Sequence, residues 1–161
     1  MTTPRRRFAL VFALFASCFT LGAQAQLIDK KALSLAEARK ALIAATEEAR
    51  KSNVNAVIAV VDDGGFLVAY EKADKAGRIS TDVAIGKARA AALFRRSTAG
   101  LEEAVPKRPA MVTIPDQVLL QGGMPISVDG EVIGGVGVSG GSPQQDEVIA
   151  AAGANAVGVK R

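Results

Sequence analysis

The stretch from Gly122 to Gly141 constrains this 161-residue chain more than any other. Pro125-Ile126-Ser127-Val128 runs into Asp129-Gly130, and Glu131 to Val138 returns. Asp-Gly supplies the positive φ angles that a two-residue type I′ turn demands, so the two runs read as a β-hairpin. Gly122-Gly123, Gly134-Gly135, Gly137 and Gly140-Gly141 fall in or beside it. Glycine weakens a strand, so it marks the close approach of another backbone or of a ligand. Two readings are open. A helix or a second subunit packs on the glycines. Alternatively Ser139, Gly140, Gly141 and the amino end of the following helix present backbone N–H groups to an anion.

The rest of the chain supplies helices and one more hairpin. Ser34-Leu35-Ala36-Glu37 reads as a capping box, and Leu35, Ala38, Leu42, Ala45 and Ala49 follow at helical spacing to about Lys51. A second helix starts near Ser80 or Thr81, carries Ile85, Ala88 and Ala92 on one face and ends near Arg95-Arg96. A third starts at Ser142-Pro143-Gln144-Gln145, with Ser as cap, Pro at the first position and Gln completing a box. Ala56 to Val61, the turn Asp62-Asp63-Gly64-Gly65 and Phe66 to Glu71 form the other hairpin. A short strand or turn is expected at Val118 to Gln121, and Val105 to Pro115, with three prolines, is the longest candidate loop. The order α, β, β, α, β, β, β, α predicts an α+β fold in one domain, with helices packed on an antiparallel sheet.

Two catalytic motifs in the glycine-rich strand fail on chemistry. Gly137-Val138-Ser139-Gly140-Gly141 matches the nucleophile elbow of serine hydrolases, but the chain has no His to serve as base. Gly135 to Gly140 matches a dinucleotide-binding fingerprint, but the chain ends before the second parallel strand and the acid that such a unit needs. With no His and one Cys, neither a His-ligated metal site nor a paired-cysteine zinc site can be built.

The amino terminus reads as an export signal. Arg5-Arg6-Arg7 precedes a nearly unbroken apolar run from Phe8 to Leu21, and Ala23-Gln24-Ala25 is an A-x-A cleavage site. The run is too short to span a bilayer, so residues 1–25 are expected to leave by cleavage after Ala25, and residues 26–161 form the domain. The expected location is periplasmic or secreted, with no transmembrane segment in the mature chain. Arg5-Arg6-Arg7-Phe8 also partly fits a twin-arginine pattern, and Phe15-Ala16-Ser17-Cys18 loosely resembles a lipoprotein box. Cleavage removes Cys18, the only cysteine, so the mature fold has no disulfide. It also removes three arginines, which accounts for most of the net charge of +4. Only Arg95-Arg96 and Lys107-Arg108 then cluster, which argues against nucleic acid as a partner.

Among single residues, Lys87 lies beside the apolar stripe of the second helix. It is either a half-buried side chain reaching solvent or a contact for an anionic substrate. Asp62 and Asp63 are turn acceptors or general bases. Tyr70 reads as a buried strand residue with its hydroxyl satisfied.

Taken together, several stretches resemble the GlcG/HbpS family of haem-binding or haem-degrading domains, also found at the carboxyl end of PduO-type proteins. They are Val60-Val61-Asp62-Asp63-Gly64-Gly65, Ala84-Ile85-Gly86-Lys87-Ala88-Arg89-Ala90-Ala91 with Phe94, and Gly122-Gly123-Met124-Pro125-Ile126. The likeness continues through Asp129 to Gly140 and Gln145-Asp146-Glu147, and covers about Leu33 to Val157. The resemblance implies a mostly antiparallel sheet of about five strands with packed helices, a homo-oligomer, and in some members a bound haem or corrinoid. Where a member ligates the tetrapyrrole metal through His, this chain cannot. Tyr70, Met111 and Met124 are then the candidate donors, and Arg89, Arg95, Lys107 and Arg108 are candidate partners for carboxylates. The expected function is an exported small-molecule or tetrapyrrole binding protein. Its ligand-binding candidates are Tyr70, Lys87, Gly122, Gly123, Ser139, Gly140 and Gly141. The alternatives are a metal-free enzyme in which Lys87 holds a small carboxylate and Asp62 or Asp63 moves a proton, and an assembly protein without a ligand.

Overall fold

The computed structural model describes residues 27–158, so the expected signal, its cleavage site and Cys18 lie outside the described residues. Residues 27–30 have no regular secondary structure, and a compact unit begins at Lys31.

Helix α1 (Leu35–Lys51) begins where Ser34 accepts from the Glu37 amide at 3.2 Å. The reciprocal half of the expected capping box is missing. The Glu37 carboxylate pairs instead with Lys40 and accepts from the Gly158 amide. The Lys40 ammonium and then the Gly158 N–H hold this carboxyl below its ordinary pKa. Helix α1 buries Ala38, Ala41, Ala45 and Ala49, while Leu35 stays exposed. The apolar stripe is thus shifted by less than a turn from the expected one.

Strands β1 (Val57–Asp62) and β2 (Leu67–Lys72) form the first hairpin. Its turn is closed by the Asp62 carboxylate, which accepts from the amides of Gly64 and Phe66 at 2.9 Å each. Helix α2 (Ser80–Phe94) follows and stops at Arg95, whose φ of 55° is left-handed. The short helix α3 (Thr98–Glu102) comes next, and two 3₁₀ turns, Val105–Lys107 and Pro109–Thr113, occupy the stretch expected to be a loop. Strands β3 (Gly123–Val128) and β4 (Glu131–Ser139) make the second hairpin. Its turn residues Asp129 and Gly130 have φ of 52° and 79°, as a type I′ turn requires. Helix α4 (Pro143–Asn155) carries the complete capping box of Ser142 and Gln145.

The sheet has four antiparallel strands in the order β2-β1-β4-β3, one fewer than expected. Val118 to Gln121 is not a strand. The Val118 amide instead donates to the carbonyl of Gly86 on α2 at 3.2 Å, so this segment crosses a helix and never reaches the sheet edge. Pro125 is accommodated because β3 is an edge strand.

Strand alternation divides the interior into two layers. Ile58, Val60, Val136 and Val138 pack with α1 and α4 on one face. Val57, Ala59 and Val61 pack with Ala84, Ala88 and Ala92 of α2 on the other. On that second face Gly137 pairs with Ala59 and Gly135 with Val61, so β4 offers α2 a floor without side chains. A Cβ at Gly137 would stand 2.1 Å from the Ala84 carbonyl, and one at Gly135 2.5 Å from that of Ala88. Close helix-on-sheet packing therefore accounts for these strand glycines.

Candidate functional site

Two features of the described residues carry unusual chemistry, and helix α2 links them. The first is a buried ion pair. Lys87 and Asp146 are 4% and 3% exposed, although no residue type is costlier to bury than a charged one. The Lys87 ammonium donates to Asp146 Oδ2 at 2.8 Å and to the Val138 carbonyl at 2.9 Å. Asp146 Oδ1 accepts from the Gly141 amide at 2.9 Å. Gly122 lies over the pair at a φ of +120°, and a Cβ there would stand 2.8 Å from Lys87 Nζ. Next to it, the Gly123 amide donates to buried Thr98 Oγ1 at 2.7 Å. This knot joins α2, α3, β3, β4 and α4, and each charge in it is met by a partner.

The structure therefore gathers Lys87, Gly122, Gly123 and Gly141, with Ser139 and Gly140 on the adjoining chain. The side chain of Lys87 does not reach solvent, so neither half-burial nor an open anion contact describes it. Two of the N–H groups expected to await an anion, those of Gly141 and Ser142, are engaged within the chain. Gly141 donates to Asp146, and Ser142 donates to Gln145 Oε1 at 2.9 Å. Gly140 abuts the Asn55 carbonyl, which a Cβ would approach to 2.5 Å.

The other candidates lie elsewhere. Asp62 pairs with Gly134, while Lys87 meets the carbonyl of Val138, four residues further along β4. That spacing is about 13 Å. The structure thus does not bring Asp62 or its neighbour Asp63 to Lys87, and Asp62 works as a turn acceptor. Tyr70 is on edge strand β2, partly exposed and not buried as expected, with its hydroxyl 3.0 Å from Thr81 Oγ1. Met124 pairs with Val136 and packs into the layer beneath α1 and α4. Arg95 caps the end of α2.

The second feature is a pair of clefts that share the segment crossing α2. Gly86 has no side chain, and Val118 seats against it. A Cβ there would stand 2.4 Å from Val118 Cγ2. The clamped segment Gln117–Val118 forms a wall shared by both clefts. On one side is an apolar cleft of about 490 Å³ lined by Glu102, Val105, Pro106, Val112, Leu119 and Leu120. Lys107 and Arg108 are exposed in the same stretch of 3₁₀ turns. Met111 packs with Leu119 and Leu101 behind it. On the other side is a polar cleft of about 380 Å³ between Asp82, Ile85 and Arg89 of α2 and Asp116.

Sequence reasoning missed Asp146 as the partner of Lys87 and missed the cleft residues. Asp146 had a legible signal. Ile149, Ala150 and Gly153 follow it at three, four and seven positions, which places the acid on the buried stripe of α4. Val112 and Leu120 had none, since exposed aliphatic residues are ordinary on any surface.

Comparison with known proteins agrees with this architecture. The family described as haem degrading protein, HbpS-like, matches residues 33–155. Protein GlcG of Escherichia coli K12 is 47% identical over 111 residues, which cover 68% of this chain and 83% of GlcG. The crystal structure of a double mutant of Streptomyces reticuli HbpS superposes with a TM-score of 0.80 at 33% identity, covering 86% of this chain and 95% of that one. The crystal structure of a PduOC:haem complex does so with a TM-score of 0.73 at 30% identity, covering 81% and 98%. Among the described residues, no helix is long and apolar enough to cross a membrane. In matched length, in sequence and in fold, the chain belongs to the HbpS-like family.

Proposed function

We propose that the protein is an exported binding protein for haem or a related tetrapyrrole, held without a histidine ligand. The observation that carries this reading is the apolar cleft between α3, the 3₁₀ turns and residues 117–120. A tetrapyrrole is a flat apolar plate with carboxylates along one edge. Val105, Pro106, Val112, Leu119 and Leu120 suit the plate, and the exposed cations Lys107 and Arg108 in the same stretch suit the carboxylates. The likeness to a domain crystallised with haem supports the same ligand class. Among the candidate donors, the soft thioether of Met111 is the one that would hold the iron. Met111 packs beside the cleft, whereas Tyr70 is at the opposite sheet edge and Met124 on the opposite face. Haem, when bound, supplies a redox-active iron; the residues named here bury its ring and hold its carboxylates.

We also infer a homo-oligomer. Phe66, Leu67 and Leu93 are exposed around the first hairpin and the end of α2, and an apolar surface of this kind favours self-association.

Haemin titration of protein recovered from the periplasmic or secreted fraction tests the proposal. The expected result is a shifted absorption band that saturates at a fixed stoichiometry. Met111→Leu moves that band, Tyr70→Phe leaves it in place, and loss of Lys107 and Arg108 together weakens binding about tenfold or more. A band identical to that of free haemin overturns the ligand, and absence of the protein from that fraction overturns export.

A further inference from the structure

The polar cleft on α2 is a separate site. Ile85 and Gly86 lie between Asp82 on one side and Arg89 on the other, and Asp116 and Gln117 face them from the crossing segment. Two observations distinguish it from ordinary charged surface. Arg89 is anchored, since its Nε donates to the Gly65 carbonyl at 3.0 Å. That bond fixes the guanidinium while its terminal nitrogens make no hydrogen bond or ion pair among the described residues. Asp116 is held at a φ of 60° and, like Asp82, has no ion-pair partner among the described residues. The contrast with Lys87 and Asp146, where every charge is met, is sharp.

We propose that this cleft binds a small zwitterion whose ammonium and carboxylate groups are several bonds apart. Asp82 and Asp116 are acceptors, which suit the N–H groups of a primary ammonium. Arg89 is the matching donor for a carboxylate. A simple anion meets two carboxylates, and a simple cation meets the fixed guanidinium, so neither alone suits the lining. Asp82 and Arg89 are two helical turns apart, a rise of about 10 Å, which favours separated charges over an α-amino acid. Ile85 and Val118 suit the methylenes between them. This inference is independent of the tetrapyrrole reading, because the two clefts share only Gln117 and Val118 in their linings.

Calorimetric titration of the purified protein, without haemin, tests it with glycine, 4-aminobutyrate, 6-aminohexanoate, butyrate and butylammonium. One of the two longer zwitterions is expected to saturate at one per chain. Glycine and both single-charge compounds are expected to bind at least about tenfold more weakly. Asp116→Asn, which tolerates the same backbone angle, and Arg89→Gln are each expected to lower the affinity about tenfold. No saturable binding of either longer zwitterion overturns the proposal. So does equal binding of butylammonium or butyrate, and so does undiminished affinity in Asp116→Asn. Because haemin is absent, each of these failures leaves the apolar-cleft reading standing.

Discussion

Helix α2 has two sides, and they solve opposite problems. Its inner side lies on the glycine floor of β4, with Ala84, Ala88 and Ala92 in contact and the Lys87–Asp146 pair closed at its edge. Its outer side carries the clamped Gln117–Val118 wall, with an open cleft on each flank. On the inner side both charges of the buried pair have partners, and the helix rests directly on strand backbone. On the outer side a buried amide oxygen is unpaired and Val112 and Leu120 face solvent. Residues that look chemical in sequence thus hold the fold, while plain aliphatic ones line the spaces where a ligand fits.

Mutation should separate the two sides, and the largest effect falls on the ion pair. Asp146→Ala leaves a buried ammonium without its counter-charge and should cost about 3–5 kcal/mol in urea unfolding. Replacing both residues, as Lys87→Met with Asp146→Leu, should recover most of that loss. A single variant as stable as the parent would show that the pair is dispensable and would erase the contrast. Gly137→Ala comes next. Its methyl group would meet the backbone carbonyl of Ala84, which cannot rotate away, so a loss of about 3 kcal/mol is expected in the same assay. Leu120→Ser on the outer side should change stability by no more than about 0.5 kcal/mol, yet weaken haemin measurably in the absorption titration. Equal stability losses for Leu120→Ser and Gly137→Ala would mean that the outer side is core as well.

Much of the fold was legible because its signals are local. The Asp129-Gly130 turn, the Ser142 cap and the apolar spacing of α1 depend on neighbours within a few residues. The expected fifth strand failed for a non-local reason. Val118 to Gln121 has a strand-like composition, but Gly86 opens a seat on α2 that takes Val118 first. The Glu37 half-box failed likewise, because Lys40 and the distant Gly158 amide compete for its carboxylate. Lys87 stood out as a charge beside an apolar stripe, yet its partner is 59 positions away, beyond any spacing argument. The glycines announced a close approach, and only the register of β4 against β1 decided that the approaching object is a helix.

The glycine floor also limits how this chain can change. Where the Ala84 carbonyl would stand 2.1 Å from a new Cβ on Gly137, enlarging either surface by one carbon forces the two backbones apart. Lifting α2 at that point also lifts Val118, which is bonded to the same helix, and with it the wall between the clefts. Single substitutions along this contact are therefore closed routes, and paired ones must restore the spacing at once. Apart from Gly86 and Val118, the outer cleft linings are free of that restriction, so binding preferences can drift there by one substitution at a time while the scaffold beneath them stays fixed.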